Sequence, residues 1–300
     1  MSETQSNHTK GLLLTAIGGL ALTADIPLIK LAGGDVWSVL MLRAGTTFVA
    51  SLAIWLVWRA LSPNAPALIP GRAGVAVAAF YALSSIAFIT AVYNTSTANV
   101  VFILAFNTMF AALLSWVFLK ERPGPATLAA MAAMILGVLI IVGDGIAAGN
   151  LFGDMMALAA SFLIASAITV SRASGRDMGF TPLVATLVPF AVALGFVAQQ
   201  GGLQIAAPWW IVFNGAVVMP LSFYCLATGP RYISAPEVAM FYLLETVLAP
   251  IWVWMIFSET PSTRSLIGGA VLVAALVAHS LWQIAQGNIR RRAARPPRHP

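Results

Sequence analysis

Ten apolar runs, separated by short polar or Gly/Pro-containing connectors, dominate the sequence. They lie near residues 11–30, 36–58, 73–92, 98–119, 127–143, 151–170, 181–199, 208–228, 236–257 and 265–283. A helix needs about 20 apolar residues to cross the hydrocarbon core of a bilayer, and each run is close to that length. Charged residues make up only 9% of the 300 residues, against about 25% in soluble domains. The sequence therefore predicts an all-α integral membrane protein with ten transmembrane helices.

The basic residues are distributed unequally between the two sides that alternating spans define. With a cytoplasmic N-terminus, the cytoplasmic connectors and tails hold Lys10, Arg59, Arg72, Lys120, Arg122, Arg172, Arg176, Arg231, Arg290, Arg291, Arg292, Arg295 and Arg298. The opposite side then holds only Lys30 and Arg264. Because Lys and Arg are enriched in cytoplasmic loops, this bias predicts that both termini lie in the cytoplasm. It also assigns the net charge of +6 to membrane topology rather than to nucleic-acid binding.

The first apolar run has a second interpretation, as a secretory signal peptide. Lys10 precedes it, and ALTAD (residues 21–25) resembles a signal-peptidase cleavage site. We interpret the run as a span instead, because the internal repeat described next needs five spans in its first half.

An internal repeat relates the two halves of the chain. Residues 96–123 (STANVVFILAFNTMFAALLSWVFLKERP) align without gaps with residues 234–261 (SAPEVAMFYLLETVLAPIWVWMIFSETP), 138 positions later. The identical pairs include Ser96 with Ser234, Val100 with Val238, Thr108 with Thr246, Ala111 with Ala249, Trp116 with Trp254, Glu121 with Glu259 and Pro123 with Pro261. The repeat divides ten spans into five plus five, and an odd number of spans forces the copies into opposite orientations.

Secondary transporters built from inverted repeats place the substrate near the membrane midplane, between the two halves. We therefore predict two inverted five-helix repeats around a central cavity. The predicted order is a cytoplasmic N-terminal tail (1–10), a first repeat (11–143), an external linker (144–150), a second, inverted repeat (151–283) and a basic cytoplasmic tail (284–300).

The ends of the two repeats carry a family resemblance. They read FLKERPGPATLAAMAAMILGVLIIV (residues 118–142) and FSETPSTRSLIGGAVLVAALVAHSL (residues 257–281). This layout resembles the ten-span drug/metabolite transporter (EamA) superfamily, in which each repeat ends with an aromatic-x-x-Glu connector and a Gly-rich helix. Arg43 in the second span resembles an arginine common there, whereas Ser258 departs from the Gly or Lys frequent in the second connector. The sequence is most similar to the aromatic amino acid exporters, which implies amino acid export across the bacterial inner membrane.

Motifs for enzymatic chemistry are missing from the sequence. It has no G-x-x-x-x-G-K-[ST] loop for nucleotide phosphates, no H-E-x-x-H for zinc and no G-x-S-x-G elbow. The single cysteine, Cys225, excludes an intramolecular disulfide and a cysteine-based zinc site. We expect no enzyme activity, no cofactor and no metal.

Glu245 is a lone carboxylate within the ninth span, and Asn107 occupies the equivalent place in the fourth. Charged groups at such depth face a cavity or a partner, because exposure to lipid is costly. We interpret Glu245 as a cavity or substrate contact. For Asn107 two interpretations stay open, namely substrate contact and an interhelical hydrogen bond.

Asp25 and Arg43 lie about equally far from the turn AGGD (residues 32–35), on neighbouring antiparallel helices. At about 1.5 Å rise per residue they reach the same depth. We expect a structural ion pair or a gate element; a substrate carboxylate competing for Arg43 is the weaker alternative.

An aromatic and hydroxyl-bearing stripe is expected to line the cavity. In the third span it consists of Tyr81, Ser84, Ser85 and Phe88, at helical spacing, and other spans extend it with Phe102, Phe106, Tyr224 and Tyr242. Taken singly, each of these residues is equally consistent with ordinary packing.

Four prolines inside spans, Pro27, Pro189, Pro220 and Pro250, are expected to kink their helices.

We therefore expect a secondary transporter that exports aromatic and other neutral amino acids by alternating access. Its partners are the amino acid and the membrane lipids, and Glu245 binds the substrate amino group or a coupling proton. One alternative keeps the fold and moves cationic drugs or other small metabolites. A more remote alternative is a lipid-modifying membrane enzyme, which would need acidic or histidine clusters.

Overall fold

The computed structural model describes residues 3–62, 65–176, 178–228, 232–233 and 235–293. Its helices are α1 (Glu3–Leu22), α2 (Asp25–Ala32), α3 (Val36–Leu61), α4 (Gly71–Asn94), α5 (Thr97–Ala105), α6 (Asn107–Leu119), α7 (Pro125–Ala148), α8 (Leu151–Ser174), α9 (Thr181–Val184), α10 (Leu187–Gln199), α11 (Pro208–Phe213), a π-helix (Asn214–Val218), α12 (Met219–Thr228), α13 (Ala235–Phe257) and α14 (Thr263–Ala293). They form ten segments long and apolar enough to cross a membrane. The predicted ten-span, all-α architecture is confirmed.

Four of the described spans are interrupted. Span 1 breaks between α1 and α2, span 4 breaks at Phe106, span 7 breaks between α9 and α10, and span 8 contains the π-helix. Non-helical backbone at membrane depth is tolerated only where it is buried in protein or lines a water-filled cavity. The interruptions therefore direct attention to the interior of the bundle.

Prolines account for three of these interruptions. A proline inside a helix has no N–H to donate to the carbonyl four residues earlier. The prolines are Pro27, Pro189 and Pro220, and the carbonyls that they leave without this donor are those of Thr23, Ala185 and Ala216, which all lie at the interruptions. Pro250 lies inside the continuous helix α13, and the break at Phe106 has no proline in its span.

The packing of the helices has twofold character. Helix α4 packs along α8 and α1 along α12, which joins span 3 to span 6 and span 1 to span 8. Spans 2 and 7 meet through α3 and α10, and spans 5 and 10 through α7 and α14. Each span of the first half has its counterpart five spans later. Exchanging the counterparts turns the contact between spans 3 and 6 into that between spans 1 and 8. The contacts of span 2 with 7 and of span 5 with 10 are left unchanged. This is the pattern expected of two inverted five-helix repeats.

The two faces of the bundle are named here by the residues that they carry. Following the charge-based prediction, we call the face with residues 33–35, 200–207 and 258–262 the external face, and the opposite one the cytoplasmic face. At the external face Ala206 N–H donates to the Gly33 carbonyl at 3.0 Å and Asp35 N–H to the Gln204 carbonyl at 3.1 Å.

Spans 4 and 9 pack together toward the external face. Helix α13 packs against α5, the external half of span 4, whereas along span 1 it packs against both α1 and α2. The cytoplasmic half of span 4, α6, packs against α8 instead. Spans 4 and 9 therefore meet near the external face.

Candidate functional site

Asp25, Arg43 and Asn214 form a buried polar cluster that joins the two halves of the chain. Arg43 donates from Nη2 to Asp25 Oδ2 at 2.8 Å and from Nε to Asp25 Oδ1 at 3.2 Å. Asn214 donates from Nδ2 to Asp25 Oδ1 at 2.8 Å, and its Oδ1 accepts from Arg43 Nε at 3.3 Å. All three residues are buried. A buried ion pair is tolerated when further hydrogen bonds satisfy its polar atoms, and Asn214 supplies them from the second half.

The interrupted helices place two members of this cluster. Asp25 is the first residue of α2, directly after the break in span 1, and Asn214 is the first residue of the π-helix in span 8. The next residue, Gly215, lies against span 2, since an added Cβ would come within 2.6 Å of the Arg43 carbonyl oxygen. Only glycine allows the backbone of span 8 to approach closely enough for Asn214 to reach the pair.

Span 3 contributes an aromatic face to the same cluster. The guanidinium carbon of Arg43 lies 5.5 Å from the centroid of the Phe88 ring, within the range of a cation–π interaction. Phe88 is itself buried. Arg43 Nη2 also approaches Met219 Sδ at 3.2 Å. Arg43 is thus held on several sides, so its side chain has little freedom to move.

Glu245 lies beside this cluster without joining it. Its carboxylate makes no hydrogen bond or ion pair within the described part of the chain, and the side chain is half-buried rather than sealed. The charges of Asp25 and Arg43 both act on it, one repelling and one attracting. An unpaired carboxylate inside a span is too costly to face lipid, so it borders water or a ligand.

Two tyrosines continue from Glu245 across the bundle. Tyr242, one turn earlier on α13, lies within electrostatic range of both the Glu245 carboxyl group and Tyr81 on α4. Tyr242 is nevertheless 43% exposed. Glu245, Tyr242 and Tyr81 are therefore the candidate lining of a cavity next to the Asp25–Arg43 pair.

Asn107 begins α6, directly after the break in span 4. Among the described residues its side-chain amide has no hydrogen-bond partner, and the side chain is half-buried. Phe106, at the break, is buried in an apolar cluster that includes Leu243 on α13, and its ring contacts Phe110 edge to face, with centroids 5.0 Å apart.

The remaining predicted residues take different positions. Ser84 is buried and donates to the Ala160 carbonyl at 3.4 Å, whereas the buried Ser85 hydroxyl has no partner within the described chain. Phe102 is buried in the packing between spans 4 and 10, where Gly269 makes room for its ring. Tyr224 is 53% exposed, and no contact of its side chain with the cluster is seen in the described part of the chain.

Comparison with known proteins identifies the family. The model of the EamA-like transporter family matches residues 9–143 and 151–281. The chain belongs to the EamA-like transporter family. Since this is a family of transporters, the protein is a transporter of small molecules in a membrane and not an enzyme.

Relatives of this EamA-like transporter come from distant organisms. The uncharacterized transporter YdfC of Bacillus subtilis (strain 168) is 28% identical over 55% of this chain, a match that spans 56% of the Bacillus protein. An uncharacterized transporter of Archaeoglobus fulgidus is 25% identical over 83% of this chain and 88% of its own length. The pseudopaline exporter CntI of Pseudomonas aeruginosa is 24% identical over 66% of this chain and 71% of its own length.

A solved crystal structure has the same fold. It covers 92% of this EamA-like transporter and 98% of its own chain, with a TM-score of 0.64 and 16% identity. At this identity the likeness supports the ten-span architecture and nothing about the substrate.

Sequence reasoning missed Asn214 as a member of the cluster. The available signal was a polar amide inside an apolar run, followed by glycine and then by Pro220. The repeat gave no help, because the residue 138 positions earlier is Ala76. Asn214 could be assigned only once the helices on either side of it were placed.

Proposed function

We propose that this EamA-like transporter exports amino acids, aromatic and other neutral ones, by alternating access. The observation that carries the proposal is the unpaired Glu245 carboxylate, which lies beside Tyr242 and within reach of the Arg43 charge. A zwitterion needs an anionic group for its ammonium, a cationic group for its carboxylate and a matching surface for its side chain.

The residues around Glu245 suit the three parts of such a substrate. Glu245 attracts the ammonium group, and the positive field of Arg43 favours the carboxylate. Tyr81 and Tyr242 offer aromatic faces with hydroxyl groups at their edges, which suits aromatic and hydroxylic side chains. Asn107 adds a free amide at the repeat-related position.

The names of two relatives agree with a small organic substrate. One is the pseudopaline exporter already described. Another, a riboflavin transporter of Vibrio cholerae, is 24% identical over 64% of this chain and 65% of its own length. Both names concern small organic molecules, and the first names export as the direction.

Flux into proteoliposomes tests the proposal directly. Purified protein is reconstituted and assayed with labelled phenylalanine, threonine and methionine, together with Glu245→Gln. Glu237→Gln is the control, because it removes a carboxylate of the same helix that pairs with His8 at the cytoplasmic end, away from Glu245. We expect saturable flux that Glu245→Gln lowers at least tenfold and the control leaves unchanged. No saturable flux of any of the three amino acids would overturn the amino acid assignment.

Cationic drugs or quaternary ammonium compounds are the second candidate class. The observation that favours them is the same lone carboxylate next to aromatic tyrosines, since cations are bound by carboxylates and by aromatic faces. In a growth assay, this candidate predicts that Glu245→Gln abolishes resistance to the cation while neutral amino acid flux stays intact. Loss of amino acid flux without any change in resistance would exclude it.

We also propose that the protein resides in the inner membrane of a bacterium with both termini in the cytoplasm. The charge bias of the connectors supports this orientation. Cysteines introduced at Arg264 and Arg122, in a background with Cys225→Ala, test it with a membrane-impermeant thiol reagent applied to intact cells. Labelling at position 264 but not at 122 is expected, and the reverse result would invert the topology.

A further inference from the structure

Two ion pairs lie at opposite faces of the bundle and connect its two halves. At the external face Lys30 Nζ pairs with Glu259 Oε2. At the cytoplasmic face Arg172 Nη2 pairs with Glu121 Oε2 at 3.0 Å and contacts Oε1 at 3.2 Å. In each pair the basic residue lies at the end of the first span of one half. The acidic residue lies in the connector after the fourth span of the other half.

The basic residues of the two pairs occupy equivalent positions. Lys30 stands in KLAGGD (residues 30–35) and Arg172 in RASGRD (residues 172–177), each three residues before a glycine. Both glycines end their helices with positive φ, 56° at Gly33 and 61° at Gly175. The N–H of Gly33 donates to the Lys30 carbonyl, and that of Gly175 to the Arg172 carbonyl.

The acidic residues are equivalent as well. Glu121 and Glu259 are 138 positions apart, at the spacing of the repeat. Each follows a residue with left-handed backbone, Lys120 at φ 60° and Ser258 at φ 55°, and these are the only non-glycine residues of the described chain with positive φ. Such backbone is costly for residues with a side chain. The same unusual turn thus presents both glutamates.

The two pairs differ in their surroundings. The side chains of Lys30 and Glu259 are 21% and 27% exposed, whereas those of Arg172 and Glu121 are 55% and 53% exposed. Glu259 also accepts from the backbone N–H of Thr97 at 2.7 Å, at the start of α5. The external pair therefore connects spans 1, 4 and 9, on the side where α5 packs against α13.

We propose that these pairs are the two gates of the transport cycle, one for each face. In this structure the Lys30–Glu259 pair is the more buried one and its gate is closed, whereas the Glu121–Arg172 pair is formed but exposed to water. In the opposite state the burial is exchanged, and Glu121 accepts from the N–H of Ala235, the residue that the repeat aligns with Thr97. The proposal rests on alternating access but does not depend on which substrate is carried.

The energetic basis is the difference in burial. An ion pair partly withdrawn from water gains more from its mutual attraction than one exposed to solvent. Loss of either partner at the external face therefore disfavours closure there and populates the outward-open state. Loss of either Glu121 or Arg172 disfavours closure of the cytoplasmic side and populates the inward-open state.

Sided labelling of a cysteine in the cavity tests the gates. In a Cys225→Ala background, Tyr242→Cys serves as the reporter, since this side chain is exposed at the candidate cavity. A membrane-impermeant thiol reagent is applied to either side of sealed vesicles. Lys30→Gln and Glu259→Gln are expected to raise the external labelling rate at least threefold. Glu121→Gln and Arg172→Gln are expected to lower it and to raise cytoplasmic labelling.

Matched variants separate gating from a general effect of charge. Arg264→Gln and Arg122→Gln remove an exposed charge at the external and cytoplasmic face, and they are expected to leave both rates unchanged. Glu259→Ala also removes the acceptor for Thr97 N–H, so its effect should exceed that of Glu259→Gln. Shifts of the same sign at both faces, or shifts no larger than those of the controls, would overturn the proposal.

A second measurement does not depend on single-residue losses. Cysteines at positions 30 and 259, joined by a bifunctional methanethiosulfonate that spans the length of the lost lysine and glutamate side chains, should hold the external gate shut. External labelling should then be abolished until the linkage is reduced. Unchanged external labelling after complete cross-linking would overturn the gate assignment. Because labelling needs no substrate, a negative amino acid flux assay and a failed gate are distinguishable.

Discussion

Arg43 and Asn214 hold the same carboxylate, that of Asp25, from opposite halves of the chain. Arg43 reaches both carboxylate oxygens, while Asn214 bonds to Oδ1 and also accepts from Arg43 Nε at 3.3 Å. The ion pair predicted within the first half is therefore completed by the second half. This arrangement couples the stability of the pair to the packing of span 8 on span 2.

Replacement of Asn214 should destabilise the fold. Asn214→Ala leaves Asp25 Oδ1 and Arg43 Nε with one partner fewer in a buried site, and a hydrogen bond to a charged group contributes about 1.5–3 kcal/mol. Thermal unfolding in detergent measures the loss as a lower melting temperature. Asn94→Ala, an exposed asparagine, is the control and should change the melting temperature little. Equal melting temperatures of the two variants would contradict this account of the cluster.

Glu245 should carry the coupling if protons drive export. Flux is measured with and without a proton gradient, for the wild type and for Glu245→Gln. We expect the gradient to accelerate the wild type and to have no effect on the variant, because glutamine cannot exchange a proton. The same rate in all four conditions would remove Glu245 from the coupling role.

Close packing of spans 5 and 10 should depend on glycine. A Cβ at Gly268 would lie 2.6 Å from the Gly137 carbonyl oxygen, and a Cβ at Gly137 would lie 2.7 Å from that of Gly268. Gly268→Ala must separate the two backbones, and overpacking typically costs about 1–3 kcal/mol. Gly143→Ala, on the same helix as Gly137 with open space around it, should be neutral or slightly stabilising in the same thermal assay. A destabilisation by the control as large as that by Gly268→Ala would contradict the prediction.

The start of span 2 should be sensitive to acid. Asp35 caps α3 by accepting from Trp37 N–H at 2.9 Å and Ser38 N–H at 3.2 Å. Partial burial alone would raise the pKa of Asp35, but the hydrogen bonds from Ser38 and Trp37 outweigh it and hold this pKa below the ordinary value of 3.8. The carboxylate therefore contributes stability above the unfolded-state pKa, and that contribution is lost as pH falls through the folded-state value.

Comparison with Asp35→Asn isolates this effect. Asparagine also caps helices but does not titrate in this range. The melting temperature of the wild type should exceed that of the variant near neutral pH, and the difference should shrink as the pH falls below about 3.8. A difference that widens on acidification would show that the carboxylate is not stabilised in the folded state.

Much of the architecture follows from local properties of the chain. Apolar length gave the ten spans, since a span needs only enough hydrophobic residues in a row. Proline positions anticipated three of the four interruptions in the described chain, because the missing N–H acts on a carbonyl four residues away. The break at Phe106 was not foreseen, as its span contains no proline.

The candidate site was less accessible to sequence reasoning. Glu245, Tyr242 and Tyr81 were selected because polar or aromatic groups in apolar helices are unusual, and their place at a substrate site stays a prediction. Phe102 satisfied the same criterion, yet its ring packs against Gly269 on span 10. The pattern of a single helix cannot distinguish a cavity face from a packing face, because both exclude lipid.

The sequence by itself determined that this protein crosses a membrane ten times, that its halves repeat and that a carboxylate lies within the ninth span. These properties depend on the order and the hydrophobicity of residues along one chain. Only the tertiary structure decided that Asn214 completes the Asp25–Arg43 pair across 171 positions and that one of two equivalent ion pairs is more deeply buried. Such contacts depend on how each helix is rotated and where it breaks, and neighbouring helices set both.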